Sequence, residues 1–360
     1  YRWYKESWGG FWGFQFGWLE WLSWMFEAAL YPTLVAIYCV HFFWPEAGTF
    51  TTWCITLAVI WMSIVLNIRG IQTVGKWSAF LAWFQVLPVL WFIIIGVNHI
   101  DLSFLGSLNI PANSTTLEAL TMALIFGLWN FSGYAGLAAA AEEIEDTPTT
   151  YPKALLITLI VSMVMYVVPL IIGISVDQNW SNWDEAQFNS LALVLGGGAF
   201  AWWFMLAAQS SNFGLINSEL IVLSRLIQAM AKDGFLPQVL DKLHRKYETP
   251  VHSLVMQGIL LSIMTFGMGF VDLLVVGTWL SIPTYLIGFA VFISLRIQKP
   301  DMDRPFKIKG GWPVIIPIVA IPCFIALFIF INTPKEYLLE TIPLLLSGFA
   351  VYFIQKIFSK

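Results

Sequence analysis

Two carboxylates lie within one apolar stretch near the start of the chain. Glu20 and Glu27 are seven residues apart, so on a helix they project from nearly the same face, two turns from each other. Acids at membrane depth are functional candidates, because a carboxylate there needs a proton, a cation or hydrogen-bond donors. Glu27 is therefore predicted to bind an amine or carry a proton. A structural alternative stays open for each residue. Glu20 can lie at the membrane interface, and Glu27 can form a hydrogen bond with a neighbouring helix.

A second candidate is a run of small and polar residues inside a long apolar stretch, IFGLWNFSGYAGLAAAAEEIEDTP from Ile125 to Pro148. If the helix unwinds there, free amides and carbonyls can meet a polar substrate, and a half-helix N-terminus attracts a carboxylate. The aromatic side chains in the run can cover an ammonium group. Equally, its glycines and alanines can serve tight helix packing. The residues concerned are Trp129, Asn130, Phe131, Ser132, Gly133, Tyr134 and Gly136.

A third group is polar and lies within an apolar helix further along the chain. It can line an aqueous cavity or form hydrogen bonds between helices, and the sequence leaves both interpretations open. Its members are Gln209, Ser210, Ser211, Asn212, Asn217, Ser218 and Glu219.

Motifs for enzyme chemistry are absent from the sequence. The four histidines, at 41, 99, 244 and 252, have no paired spacing, and no nucleophile elbow, phosphate loop or metal-ligand pair is present. The sequence therefore predicts no enzyme, no metal and no cofactor. A net charge of −4 gives no indication of nucleic acid binding.

These residues must be positioned by membrane helices, because 58% of the 360 residues are hydrophobic and only 11% are charged. The sequence predicts an all-α polytopic membrane protein whose apolar runs of about 20 residues each cross the bilayer. The ten predicted spans are Trp12 to Val40, Thr51 to Asn67, Trp77 to Val97, Leu117 to Ala141, Ala154 to Ile174, Leu191 to Leu226, His252 to Phe270, Leu273 to Leu295, Val314 to Ile331 and Leu338 to Phe358.

The basic residues test this count of spans. With ten crossings, all of the 18 lysines and arginines except Lys335 fall on one side of the membrane. The positive-inside rule then predicts that both ends of this chain are cytoplasmic, in a plasma or cell membrane. The chain begins with Tyr1 rather than Met, and we expect further sequence before it.

Three loop motifs carry a resemblance to a known family. SRLIQAMAKDGFLPQVLDKLHRKYETP, from Ser224 to Pro250, closely resembles the cytoplasmic segment after helix eight of the amino acid, polyamine and organocation transporter superfamily. LRIQKPDMDRPFKIK, from Leu295 to Lys309, is similar to that superfamily's segment after helix ten. AEEIEDTPTTYPKAL, from Ala141 to Leu155, is similar to its connection after helix six. All three motifs lie on the predicted cytoplasmic side, and the resemblance covers almost the whole chain.

The resemblance implies a leucine-transporter-like fold of two inverted five-helix repeats, with broken helices one and six meeting at the substrate. The ten spans then correspond to helices three to twelve, so residues 1–360 form a single transporter domain that lacks the first two helices. By the same likeness, Trp129 to Gly133 lie in the unwound part of helix six.

Within the superfamily, GFQFGWLEWLSWMFEAALYP from Gly13 to Pro32 is most similar to the polyamine-uptake and light-chain-like branches. Those branches have an acid at the position of Glu27, which favours a cationic amine. Two positions depart from family patterns. Ala135 stands where many polyamine carriers have an acid, and Gln85 stands where some proton-coupled members have a lysine.

The sequence thus predicts a secondary active amino acid transporter that works by alternating access, coupled to protons or to exchange. The alternatives are a polyamine transporter of the same fold and a non-transporting scaffold or receptor. The expected partners are a small-molecule substrate and the lipid bilayer, with protons and an accessory subunit left open and no nucleic acid. The predicted substrate-binding residues are Glu27, Trp129, Asn130, Phe131, Ser132, Gly133 and Asn212, and the coupling or gating candidates are Glu20, Gln85, Glu142 and Glu143.

Overall fold

The computed structural model describes residues 1–70, 74–107, 115–133, 146–302, 304 and 307–358. Within these residues the regular structure is helical and no strand occurs, which confirms the predicted all-α class. The helices are α1 Arg2–Phe43, α2 Thr49–Ile68, α3 Val74–Gly96, α4 Thr116–Asn130, α5 Thr147–Val176, α6 Gln187–Lys232, α7 Val251–Met264, α8 Phe270–Gln298, α9 Trp312–Asn332 and α10 Lys335–Phe358.

Each predicted span corresponds to one of these helices, although their lengths differ. Eight helices of the described chain are long and apolar enough to cross a membrane, while α4 and α7 are shorter apolar helices. The predicted fourth span continued to Ala141, whereas α4 ends at Asn130. The predicted seventh span reached Phe270, but α7 ends at Met264 and Phe270 begins α8. In both places hydrophobicity continued past the residue at which the helical backbone ends.

Two long helices are interrupted at glycines. In α6 the backbone leaves the helical region at Gly197, with φ 76° and ψ 179°, within a run of three glycines. In α1 the same happens at Gly9, with φ 84° and ψ 175°. Only glycine adopts such positive φ angles without a steric penalty, so these two residues set the points at which the helices change direction.

Helix α1 lies at the centre of the protein and packs most extensively against α8 and α6. Its side chains Phe14, Trp21, Met25 and Leu30 are almost completely buried. Helix α5 is the opposite case, with apolar side chains such as Ile157 that are 62% exposed. An apolar surface of this kind is stable against lipid, as expected for a helix at the periphery of a membrane bundle. The core of the protein therefore surrounds α1.

A glycine determines how closely α8 approaches α1. A Cβ atom placed on Gly277 would lie 2.9 Å from the Cβ of Phe26 and 3.7 Å from the backbone nitrogen of Glu27. Small residues at helix interfaces allow this close approach of two backbones. The contact places one face of α8 directly beside Glu27.

Candidate functional site

A cavity that is partly open to solvent lies between α1, α4 and α8. Leucines form much of its wall. Its polar lining comes from three helices: Ser23 and Glu27 of α1, Ser132 just after α4, and Thr278, Ser281 and Tyr285 of α8. Trp129 of α4 adds an aromatic face. An apolar pocket with a few convergent polar groups is the usual form of a small-molecule site.

Glu27 is the acidic group of this cavity. Ser132 Oγ donates a hydrogen bond of 2.9 Å to Glu27 Oε1, and the Tyr31 hydroxyl donates one of 3.3 Å to the same oxygen. Glu27 Oε2 accepts no hydrogen bond from the described residues. Because a carboxylate has about four acceptor positions, Glu27 retains capacity for a donor that enters the cavity.

The end of α4 positions Ser132. The helix stops at Asn130, Phe131 has φ −104° and ψ 12°, and Gly133 has φ +89°. A Cβ on Gly133 would meet nothing within 4 Å. Glycine is therefore favoured at this position by the positive φ angle and not by a lack of space for a side chain. Ser132 Oγ also lies 2.8 Å from the Trp129 carbonyl oxygen. Since a serine hydroxyl has one proton, Ser132 divides its hydrogen bond between Glu27 and the end of α4.

The two aromatic residues of this segment face different surroundings. The Trp129 ring meets the edge of Phe270 on α8 at a centroid distance of 5.6 Å and lines the cavity. Phe131 is 38% exposed, and its ring lies edge-on to Tyr166 of α5 at 5.6 Å. Trp129 is thus the one of these two rings that can cover a bound ammonium group in the cavity.

Of the predicted binding residues, the structure brings Glu27, Trp129 and Ser132 together. The others do not line this cavity. The exposed Asn130 donates a hydrogen bond of 2.9 Å to the Phe126 carbonyl oxygen. Gly133 is exposed, and Asn212 lies on α6.

Of the predicted coupling and gating residues, neither Gln85 nor Glu20 is part of the cavity lining. Gln85 is on α3, away from its lining. Glu20 Oε2 lies 3.7 Å from the backbone nitrogen of Tyr1. Glu142 and Glu143 fall outside the described residues, as do Tyr134, Ala135 and Gly136. The roles given to all of these positions stay predictions.

The polar run of α6 is used in part for contacts between helices. Asn217 Oδ1 accepts a hydrogen bond of 2.8 Å from Asn67 Nδ2 of α2, and Asn217 Nδ2 donates to Phe213 O at 2.6 Å and to Ser63 Oγ at 3.4 Å. For Asn217 the interhelical alternative is therefore correct. Gln209 differs, because both of its side-chain amide atoms are buried without a partner among the described residues.

Sequence reasoning missed the contribution of α8 to the site. Thr278, Ser281 and Tyr285 follow one another at spacings of three and four residues, which places them on one helical face. That spacing inside an apolar span was a usable signal. Glu219 belonged to the predicted polar run, but its electrostatic interaction with Glu27 and Tyr31 depends on the packing of α6 against α1.

No basic side chain neutralises these acids within the part of the chain that the structure describes. Neither Glu27 nor Glu219 has a lysine, arginine or histidine of that part within ion-pair distance. A buried carboxylate without a basic partner is stabilised by a bound cation or by a proton. The site therefore attracts cations.

A bundle of apolar helices around a polar cavity, with one lining helix ending beside that cavity, has the architecture of a membrane transporter. A family model described as amino acid permease matches residues 1–352, so the chain belongs to the amino acid permease family. The chain is an integral, multi-pass membrane protein. Its relatives include proteins named as a probable polyamine transporter and as a cystine/glutamate transporter.

Similar proteins include both polyamine and amino acid transporters. A probable polyamine transporter of Arabidopsis thaliana is 27% identical over 97% of this chain and 70% of its own length. A polyamine transporter of Oryza sativa subsp. japonica is 29% identical over 92% of this chain and 62% of its own length. The cystine/glutamate transporter of Homo sapiens is 27% identical over 73% of this chain and 52% of its own length.

Proposed function

We propose that this protein is a secondary active transporter of cationic amines, with polyamines as its substrate class. The observation that carries the proposal is Glu27, which faces the cavity and has no basic partner among the described residues. An ammonium group supplies the missing positive charge and donates charge-assisted hydrogen bonds to the free acceptor positions. The similarity to plant polyamine transporters supports the same substrate class.

Substrate binding at Glu27 would act directly on the end of α4. An ammonium group at Oε1 competes with Ser132 for the same oxygen, and Ser132 can then donate fully to the Trp129 carbonyl oxygen. The ring of Trp129 can cover the positive charge from the other side. Binding would thus change the hydrogen bonding at the end of α4, which is the kind of differential contact that alternating access requires.

Amino acids are the second candidate substrate. The non-helical backbone from Phe131 to Gly133 offers free polar groups for a carboxylate, and the similarity to amino acid transporters agrees with this. In that case Glu27 would bind the α-ammonium group. The residues that line the cavity include no basic side chain for a substrate carboxylate, which favours a polyamine over an amino acid.

Uptake into proteoliposomes by the full-length protein tests the substrate class. We expect accumulation of labelled putrescine, weaker uptake of arginine and none of leucine. Glu27→Gln should abolish putrescine uptake, while Glu46→Gln, which alters an exposed acid in the loop after α1, should leave it intact. Uptake of leucine alone would establish the amino acid alternative. Failure to transport any of the three compounds would favour a scaffold or receptor.

The remaining parts of the proposal concern energy coupling and placement. We expect residues 1–360 to act as one transporter domain with cytoplasmic ends in a plasma or cell membrane, without enzymatic activity. Coupling to protons or to exchange is part of the same proposal. A pH gradient imposed on empty vesicles, compared with vesicles preloaded with unlabelled putrescine, separates the two modes. An accessory subunit would be revealed by co-purification of a second chain in stoichiometric amount.

A further inference from the structure

The cavity continues from Glu27 along a polar seam between α1 and α8. Ser23 lies on the same face of α1 one turn before Glu27, and Ser281 and Tyr285 face it from α8. Ser23 Oγ donates to the Glu20 carbonyl oxygen at 2.9 Å, and Ser281 Oγ donates to the Gly277 carbonyl oxygen at 2.9 Å. Both hydroxyls therefore keep their own acceptor positions for a donor in the cavity.

The two helices run in opposite directions along this seam. Gly277 is level with Phe26, whereas a Cβ on Gly288 would lie 3.7 Å from the Tyr4 hydroxyl. The Tyr4 ring in turn lies 5.5 Å from the ring of Phe16, ten residues before Phe26. Tyr285 is eight residues beyond Gly277, which is about 12 Å further along α8. Glu20 lies in the same direction from Phe26 along α1. Tyr285 and Glu20 therefore occupy the same end of the seam.

Tyr4 connects these two groups. It interacts electrostatically with the Glu20 carboxylate and with the Tyr285 hydroxyl. Glu20 Oε2 also lies 3.7 Å from the backbone nitrogen of Tyr1. The Glu27 carboxylate thus lies in the cavity at one end of the seam, and the Glu20 carboxylate lies beyond the cavity lining at the other end, with hydroxyl groups between them. Seven residues of helix separate the two acids, a distance of about 10 Å along the axis.

We infer that this seam is the subsite for the distal ammonium group of a long polyamine, with Glu27 binding the first ammonium group and Glu20 with Tyr285 binding the last. This inference rests on the proposed function and narrows its substrate class. With bonds near 1.5 Å, an extended chain advances about 1.25 Å per bond, so the five bonds of putrescine span about 6 Å and the nine bonds of spermidine about 11 Å. Only the triamine reaches both acids at once, and the hydroxyls of Ser23 and Ser281 can accept from its central amine.

The test compares putrescine with spermidine in proteoliposomes that contain the full-length protein. Wild type should bind spermidine more tightly than putrescine. Glu20→Gln should lower the affinity for spermidine about tenfold or more, which is the effect of losing one hydrogen-bonded charge contact. The affinity for putrescine should fall less than about twofold. Glu27→Gln should abolish uptake of both. Glu6→Gln, which changes an exposed acid of the same helix, should leave the spermidine to putrescine ratio unchanged.

Tyr285→Phe provides a second measurement that keeps the ring and removes only the hydroxyl. It should reduce the preference for spermidine over putrescine several-fold without changing putrescine uptake. If Glu20→Gln does not fold, this variant alone tests the subsite. Equal losses for both amines in Glu20→Gln and Tyr285→Phe would overturn the subsite while the proposed function survives. Absence of any amine uptake by the wild type would instead reject the proposed function, and the subsite with it.

Discussion

Two polar clusters inside the helix bundle look alike in the sequence and differ in the structure. In the first, Glu27 of α1 meets Ser132 beside a cavity and keeps unused acceptor positions. In the second, Asn217 of α6 meets Asn67 of α2, and both of its amide atoms are hydrogen-bonded. The amide cluster joins two helices, whereas the carboxylate cluster can accept hydrogen bonds from a ligand. Polarity at membrane depth therefore identifies a site only together with space and an unneutralised charge.

The largest expected effect separates the two clusters by function. Glu27→Gln removes the charge that binds the ammonium group, which should cost about 2 to 5 kcal/mol in substrate binding, or roughly 30-fold or more in affinity. Asn217→Leu should leave the affinity for putrescine unchanged, because Asn217 lies outside the cavity lining. Inhibition of labelled putrescine uptake by unlabelled putrescine measures both. Similar losses of affinity in the two variants would remove the distinction between the clusters.

The next effect concerns the contact that holds α8 beside Glu27. Gly277→Ala places a Cβ atom 2.9 Å from the Cβ of Phe26, and overpacking of this kind costs about 1 to 3 kcal/mol. We expect a lower Tm for the detergent-solubilised protein. Gly214→Ala is the matched control, since a Cβ on that helical glycine meets nothing within 4 Å. A Tm for Gly277→Ala at or above that of the control would contradict the close contact.

A substitution in the amide cluster should lower the thermal stability of the protein and leave substrate binding unchanged. Asn217→Ala removes the hydrogen bond to Asn67, and interhelical hydrogen bonds in membranes contribute about 0.6 kcal/mol on average and up to about 1.7. The variant should unfold at a slightly lower temperature and transport putrescine with an unchanged KM. An altered KM with unchanged Tm would place Asn217 in the transport pathway.

The smallest expected effect comes from Ser132→Ala. This substitution removes one hydrogen bond to Glu27, worth about 1.5 to 3 kcal/mol to the charged group, but it also removes a competitor of the ammonium ion at the same oxygen. The two consequences oppose each other, so KM for putrescine should change only a few-fold. The turnover rate should fall, because binding is no longer linked to the end of α4. A normal turnover rate would argue against that link.

The sequence predicted the features that depend on local properties. The helices follow from the length of the apolar runs, and the non-helical backbone at Gly133 and Gly197 follows from glycine's tolerance of positive φ angles. Glu27, Trp129 and Ser132 were found because polar, aromatic and small residues are unusual at those places in a span. Their meeting in one cavity could be expected only through the resemblance to a known fold.

The features that sequence reasoning missed depend on packing between distant segments. The spacing of the polar residues on α8 shows that they share one face, but serine and threonine in helices commonly bond to the preceding turn, as Ser281 does. Such a face therefore does not by itself indicate a cavity. Asn217 could be assigned only after Asn67, 150 residues earlier, was found beside it. The proximity of Glu219 to Glu27 likewise requires the packing of α6 on α1.

Thermal stabilisation by ligand tests most directly whether the Glu27 cavity binds an ammonium group. A ligand that binds only the folded state raises stability by RT ln(1 + [L]/Kd), so putrescine should raise the Tm of the detergent-solubilised full-length protein in a concentration-dependent way. The uncharged diol with the same four-carbon chain should have no effect, and Glu27→Gln should abolish the shift by putrescine. An equal shift by putrescine in the wild type and in Glu27→Gln would contradict the account.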